Sequence, residues 1–129
     1  MSATFTVDVR FSTNSDKRFN RVSVVTMLIP TNDTFIALDG FKVRHDRAET
    51  VFLRAYDAGT EINDEDCDNI PGPQCAAIDT AGAGEGFNAD RSGAEGFIYV
   101  GNGINGIGDL SQATYTWNNP VARIVLGQP

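Results

Sequence analysis

The stretch Arg54–Asp68, RAYDAGTEINDEDCD, contains six carboxylates in fifteen residues, at Asp57, Glu61, Asp64, Glu65, Asp66 and Asp68. It overlaps Thr50–Tyr56, whose β-branched and aromatic residues predict a strand, so the acidic residues belong to a loop that follows this strand. Carboxylates held close together repel one another, and Ca²⁺ binds several oxygen ligands in irregular loops. The stretch predicts either a solvated acidic loop or a calcium site that uses Asp57 and Glu61, on either side of Gly59.

Composition and charge limit the classes of partner. The chain has 129 residues and a formal net charge of −7, with 41% hydrophobic and 21% charged residues. These values predict one globular domain over residues 1–129. An acidic chain disfavours nucleic acid and anionic membranes, because phosphate groups are bound by clustered Lys and Arg. No apolar run reaches the length of a transmembrane helix, so we expect no membrane span.

The two cysteines, Cys67 and Cys75, flank a short loop that contains Pro71 and Pro73. In a protein that leaves the cytoplasm this spacing predicts a disulfide that holds the loop together. A zinc site is disfavoured, because His45 is the only histidine that could join the two thiols.

Short apolar and alternating segments separated by turn residues predict an all-β protein. The pattern in Thr4–Phe11 alternates apolar and polar residues, and Val22–Pro30 is apolar at nearly every position, as in a strand buried on both faces. Asp39-Gly40 predicts a tight turn. About seven short strands, with no capped amphipathic helix, favour an antiparallel β-sandwich with long loops. The other predicted strands are Phe35–Leu38, Thr50–Tyr56, Gly96–Val100, Ala113–Trp117 and Val121–Gly127.

Two motifs that could indicate an enzyme lack the context that they need. Gly101–Gly106 matches the G-x-G-x-x-G pattern, but no capped helix follows to receive a pyrophosphate, so we interpret it as a glycine-rich loop. His45, in the charged segment RHDR, is expected to be solvated, and the sequence has no other histidine that could serve a catalytic triad. We therefore expect no catalytic residues and no enzyme activity.

Four segments in this order resemble the spondin-domain family: TMLIPTNDTFIALDGF, YDAGTEINDE, IPGPQC and GINGIGDLSQATYTWNNPVARI. The resemblance covers about Ser2 to Leu126 and is similar both to bacterial members and to the N-terminal region of F-spondin. It implies a C2-like eight-stranded β-sandwich that is extracellular or periplasmic and binds one Ca²⁺ at loops at one end. The family's ligand positions correspond to Asp33, Asp57 and Glu61, so Asp33 adds a third carboxylate to the two found above.

This resemblance leads us to expect a calcium-stabilised binding, adhesion or matrix module, with an extracellular protein or glycan surface as its partner. The chain departs from the family in two ways. Tyr99, Gly101 and Asn105 stand where bacterial members often have histidines, so no role of those histidines is carried over. Met1 is followed by neither a leader peptide nor a further strand, so we expect a processed or trimmed form, unless the protein is intracellular.

The second departure suggests an alternative function. A sandwich that lacks its first strand leaves a sheet edge open, and an open edge can accept a strand from another chain. The alternative is therefore a structural subunit of an extracellular filament or polymer that self-associates by strand addition.

Overall fold

The computed structural model of the chain describes residues 4–7, 20–44, 46–78 and 91–127. Within them lie six strands and two one-turn helices: β1 (Arg21–Met27), β2 (Thr34–Lys42), β3 (Glu49–Leu53), β4 (Ala55–Asp57), α1 (Pro73–Ala76), β5 (Tyr99–Val100), α2 (Gln112–Tyr115) and β6 (Ala122–Leu126). One antiparallel sheet has the strand order β1-β2-β4-β5, and a second consists of β3 and β6. The predicted all-β, sandwich-like antiparallel fold is confirmed, with fewer strands in the described residues than expected.

The tight turn predicted at Asp39-Gly40 is wrong, because β2 runs through both residues and pairs with β1 on either side of them. The register of the pair shifts between Val22 and Val24, and Gly40 has a φ of 57°. The Ser23 hydroxyl accepts a hydrogen bond from the Gly40 N–H at 2.9 Å and donates to Asp39 Oδ1 at 3.0 Å. A bulge therefore accommodates the turn-forming residues within a continuous strand.

The predicted strand Thr50–Tyr56 is divided at Arg54 between the two sheets. β3 pairs with β6, whereas β4 pairs with both β2 and β5. Asp57, the last residue of β4, lies opposite Thr34 on one side and Tyr99 on the other. The first carboxylate of the acidic stretch is thus positioned by a three-stranded part of the sheet.

The expectation that Val22–Pro30 is buried on both faces is wrong. β1 is an edge strand of its sheet, and Val25 is 70% exposed while Met27 is 46% exposed. Its apolar composition therefore reflects β-propensity more than burial in the described part of the chain.

Two other predicted strands differ from the structure, and one is confirmed. Ala113–Trp117 was expected to be a strand, but α2 occupies most of it. The first part of Thr4–Phe11, residues 4–7, is not in a strand, and its apolar side chains are exposed; the remainder lies outside the described residues. The final strand, predicted over Val121–Gly127, is confirmed as β6.

Buried apolar residues form a strand-based group and a loop-based group. The strand-based group lies in or next to β2, β3 and β4 and comprises Leu38, Val43, Leu53 and Ala55. The loop-based group, which we call the disulfide cluster, comprises Cys67, Ile70, Cys75, Ile104 and Leu110, with Tyr115 and Trp117 packed against it. The acidic stretch connects the two groups, so its backbone is anchored at both ends.

Candidate metal centre

Asp33 lies in the turn between β1 and β2. The buried Thr31 holds this turn, since its hydroxyl accepts a hydrogen bond from the Thr34 N–H at 3.2 Å. The Asn32 side chain donates from Nδ2 to the carbonyl of Ile62 at 2.6 Å. The turn is therefore bound both to the start of β2 and to the acidic stretch.

The Asp33 carboxylate contacts the backbone of the acidic stretch directly. Its Oδ2 accepts hydrogen bonds from the Thr60 N–H at 2.7 Å, the Thr60 hydroxyl at 2.8 Å and the Glu61 N–H at 3.1 Å. The Asp33 carbonyl also accepts a hydrogen bond from the Ala58 N–H at 3.3 Å. The structure therefore brings the turn that contains Asp33 against the segment 57–61.

Asp57 is only 4% exposed. Its Oδ1 accepts a hydrogen bond from the Gly59 N–H at 2.8 Å, and its Oδ2 accepts one from Asn63 Nδ2 at 2.8 Å. Gly59 has a φ of 65°, and a Cβ at this position would collide with the backbone of Phe97. Only glycine satisfies both conditions, so this residue fixes the tight turn that separates Asp57 from Glu61.

The environment disfavours negative charge on Asp57 and Glu61. Burial raises the pKa of the Asp57 carboxyl; the hydrogen bonds that it accepts oppose this rise, and the charge of Asp33 adds to it. Burial also raises the pKa of the Glu61 carboxyl, followed by the charge of Asp33, while Arg91 acts in the opposite direction. Asp33 thus acts electrostatically on both of the other predicted ligands.

Asp33 Oδ1 is a buried oxygen with no hydrogen-bond partner in the described part of the chain. An unpartnered carboxylate oxygen beside two carboxyls with raised pKa values fits a cation, and all three side chains offer the oxygen ligands that Ca²⁺ prefers. Across the described ranges, however, no three Asp, Glu, His or Cys side chains are close enough to form a ligand set. The three predicted residues are neighbours, but their carboxylates do not converge on one point.

A polar network that the sequence analysis missed adjoins Asp57. Asn63 Nδ2 lies 2.8 Å from Asp57 Oδ2, 2.8 Å from the Tyr99 hydroxyl and 3.2 Å from Glu95 Oε1. Tyr99 donates to Glu95 Oε1 at 3.1 Å, and burial together with the Asp57 charge raises the pKa of the Tyr99 hydroxyl. These residues line a cleft of about 140 Å³. The pairing of β4 with β5, which local sequence does not encode, brings Tyr99 to Asp57.

The later carboxylates of the acidic stretch bond to the backbone. Glu65 is 6% exposed, has a φ of 57°, and accepts hydrogen bonds from the N–H groups of residues 105, 106 and 107 at 2.5, 2.7 and 2.9 Å. Asp64 Oδ1 accepts from the Asp66 N–H, and Asp66 Oδ1 accepts from the Asp68 N–H, both at 2.9 Å. Backbone N–H groups at the end of the glycine-rich loop thus bind a carboxylate of the chain itself, that of Glu65, an interaction that the sequence analysis did not predict.

The predicted disulfide between Cys67 and Cys75 is confirmed, and both residues are fully buried. The Cys67 N–H donates to Asp109 Oδ2 at 3.0 Å, and the Asp109 N–H donates to the Glu65 carbonyl at 3.0 Å. The disulfide, Glu65 and the segment 105–109 therefore form one bonded unit next to the candidate metal centre.

In the described ranges, no helix is long and apolar enough to cross a membrane. Comparisons of the chain with protein-family models, with curated proteins and with solved structures found no match. The resemblance to the spondin-domain family accordingly stays a prediction from the sequence.

Proposed function

We propose that this protein is a calcium-stabilised extracellular binding, adhesion or matrix module without enzymatic activity. The observation that supports the calcium site best is the Asp33 carboxylate. One of its oxygens accepts three hydrogen bonds from Thr60 and Glu61, while the other is buried without a partner among the described residues. The resemblance to the spondin-domain family independently suggests the same ligands, Asp33, Asp57 and Glu61.

In this proposal Asp33, Asp57 and Glu61 hold the ion, with backbone carbonyls and water completing its coordination. Ca²⁺ supplies positive charge that offsets repulsion among the three carboxylates, and binding draws the Glu61 and Asp57 carboxylates closer to Asp33. The ion thereby makes the turn at residues 31–33 and the segment 57–61 rigid. The Cys67–Cys75 disulfide supports an extracellular or periplasmic location, since such bonds persist in oxidising compartments.

Calorimetric titration of the metal-free protein with CaCl₂ tests the site. We expect one ion to bind per chain, and Asp33→Asn to weaken binding at least tenfold, because a neutral amide replaces one of three charged ligands. Asp66→Asn is the matched control: it makes the same charge change in the acidic stretch that Asp33 contacts, at a carboxylate that bonds to the Asp68 N–H. Equal affinities for the parent and Asp33→Asn, or no binding at all, would refute the calcium site.

Self-association is a second candidate function, and the exposure of residues 4–7 favours it. Phe5 is 89% exposed and Val7 is 79% exposed, and the two apolar side chains have the spacing of one strand face. The β3–β6 sheet has only two strands in the described residues, and two-stranded sheets are marginally stable alone. In this proposal the segment that begins at Thr4 adds a strand to the sheet of a second copy.

Sedimentation velocity over a wide range of protein concentration tests this second candidate. We expect oligomers that increase with concentration, and their loss in the double variant Phe5→Ser, Val7→Ser. A single monomeric species at the highest concentration, with Ca²⁺ present, would count against strand addition and leave the calcium-stabilised monomer.

A further inference from the structure

A second cleft, of about 370 Å³, is lined by none of Asp33, Asp57 and Glu61. Its volume falls within the range of small-molecule sites, about 300–1,000 Å³. The segment 28–30, which follows β1, Gln74 of helix α1 and the segment 114–121 form its walls. The side chains that define it are Ile29, Pro30, Gln74, Tyr115, Trp117 and Pro120.

The walls of the cleft are held by bonds that do not depend on a ligand. Gln74 lies in α1, next to Cys75, whose disulfide fixes this helix. On the opposite wall, Asn119 Oδ1 accepts a hydrogen bond from the Ala55 N–H at 2.7 Å, and Asn119 Nδ2 donates to the Gly101 carbonyl at 3.1 Å. The cleft is therefore preorganised, which reduces the entropy cost of binding.

Two aromatic residues give the cleft an apolar surface. Tyr115 and Trp117 are half-buried and pack against the disulfide cluster, so their positions are fixed from behind. Ile29, which is 45% exposed, and two prolines extend this surface. Fixed aromatic rings of this kind bind apolar ligand faces and keep a polar atom available for hydrogen bonding.

Two lining residues each carry a buried polar atom without a hydrogen-bond partner among the described residues. Gln74 Oε1 is an acceptor and Trp117 Nε1 is a donor. Buried polar groups normally find partners. Both atoms are closed to solvent in the ligand-free protein, so a ligand that supplies one donor and one acceptor would correct both deficits after a small rotation of the two side chains toward the cleft. Among the described residues, no Asp, Glu, Lys, Arg or His lines the cleft, although the chain carries a net charge of −7. An uncharged ligand suits this site best.

We propose that this cleft binds a neutral saccharide. A pyranose ring has an apolar C–H face that stacks on Tyr115 and Trp117, and its hydroxyl groups both donate to Gln74 Oε1 and accept from Trp117 Nε1. The absence of charged residues among the described lining disfavours acidic sugars and sugars that carry a free, protonated amino group. This inference rests on the binding-module part of the proposed function, for which it specifies the partner as a glycan, and it does not require calcium.

Trp117 is the only tryptophan in the chain and lines both clefts, so its fluorescence reports binding, and variants of Gln74 and Tyr115, which line only the second cleft, assign the response to it. The Ca²⁺-loaded full chain is titrated with cellohexaose, maltohexaose and N-acetylchitohexaose, and we expect a saturable change in emission with at least one of them. Gln74→Ala should weaken this binding about tenfold, because it removes one buried hydrogen bond. Tyr115→Ala should also weaken it, whereas Thr50→Ala, at an exposed position on β3, should have no effect.

Three outcomes would overturn the inference: no fluorescence response to any of the sugars, a response that Gln74→Ala and Tyr115→Ala leave unchanged, or a response to decaproline but not to sugars. The last outcome would indicate a proline-rich peptide as the ligand. Calcium titration by calorimetry on the same sample separates the two proposals. Calcium binding without a sugar response refutes only the saccharide site, and the reverse result refutes only the calcium site.

Discussion

The two halves of the acidic stretch neutralise their charge in different ways. In the first half, Asp57 and Glu61 have raised pKa values, and Asp33, the third carboxylate beside them, has an oxygen without a partner in the described ranges. In the second half, the Glu65 carboxylate accepts three backbone hydrogen bonds. Asp68 is an exception in the second half, because its Oδ1 is also buried with no partner in those ranges.

This difference shows that a high density of carboxylates does not define a metal site. Backbone N–H groups of the segment 105–107 already stabilise the Glu65 carboxylate, so Glu65 needs no ion. In the first half the charge of Asp33 raises the pKa values of both Asp57 and Glu61, so an added cation would stabilise that half. The stability of the first half should therefore depend on calcium, and that of the second half should not.

The largest effect should come from Glu65→Ala, which leaves three N–H groups of the segment 105–107 without their acceptor. We expect a loss of about 3 kcal/mol in the free energy of unfolding, since each lost bond to a charged group costs about 1–3 kcal/mol and water recovers part of it. Urea denaturation, with Ca²⁺ and with chelator, measures the loss. Glu65→Gln, which keeps an acceptor, should lose less.

The loss caused by Glu65→Ala should be the same in both conditions. A loss that appears only in the presence of Ca²⁺ would place Glu65 in the metal site and remove the distinction between the two halves.

Asp57→Asn should have different effects in the two conditions. Without metal we expect nearly unchanged stability, because the substitution removes a buried charge next to Asp33 and keeps an acceptor for the Gly59 N–H, which offsets the loss of the acceptor for Asn63 Nδ2. With Ca²⁺ at 100 times its Kd, the variant should lack the stabilisation of about 2.7 kcal/mol expected for the parent. Thermal unfolding of both proteins, beside the Asp66→Asn control, provides the measurement. A Ca²⁺ response equal to that of the parent would exclude Asp57 as a ligand.

Replacing both cysteines by serine should destabilise the protein by about 2.5 kcal/mol, from the chain entropy of a short closed loop. This loss should be independent of Ca²⁺, because the disulfide belongs to the second half. Reduction of the parent under the same urea conditions is the control and should reproduce the loss. If calcium affinity fell with the disulfide, the two halves would be coupled.

The smallest effect should be the dependence of stability on pH. Asp57 and Glu61 have raised pKa values in the folded metal-free protein, so the folded state binds more protons than the unfolded state. Their contribution to stability therefore decreases as pH rises from their ordinary values, 3.8 and 4.5, through the raised folded values. Calcium affinity should show the opposite trend, because protons compete with the ion.

Melting temperatures of the metal-free parent and of Asp57→Asn, recorded between about pH 4 and pH 7, measure this dependence. The variant should show a weaker dependence than the parent. An identical dependence in both proteins would assign it to other groups.

Local sequence was sufficient for some features of this protein. The all-β class, the disulfide and the final strand follow from residue alternation, cysteine spacing and turn residues, all of which act over short distances. The approach of Asp33 to Glu61, suggested only by the family resemblance, is present in the structure as a hydrogen bond.

Other features depend on tertiary contacts and could not be predicted locally. Thr50–Tyr56 is one apolar run, yet its two ends join different sheets. Asp39-Gly40 has the sequence of a turn, but the Ser23 hydroxyl bonds to both residues and a bulge retains them in β2. The partners of Glu65 lie 40 residues or more away, so its role as the anion in the glycine-rich loop is invisible in a sequence window.

The calcium site is tested most directly by thermal unfolding of the parent. Melting is compared at saturating Ca²⁺ and after complete removal of metal. A site at 100 times its Kd contributes about 2.7 kcal/mol, which raises Tm by about 10 °C in a domain of this size. If Ca²⁺ binds at Asp33, Asp57 and Glu61, we expect this increase in the parent and its absence in Asp57→Ala. Equal melting temperatures in both conditions, together with no calcium in elemental analysis of the purified protein, would contradict it.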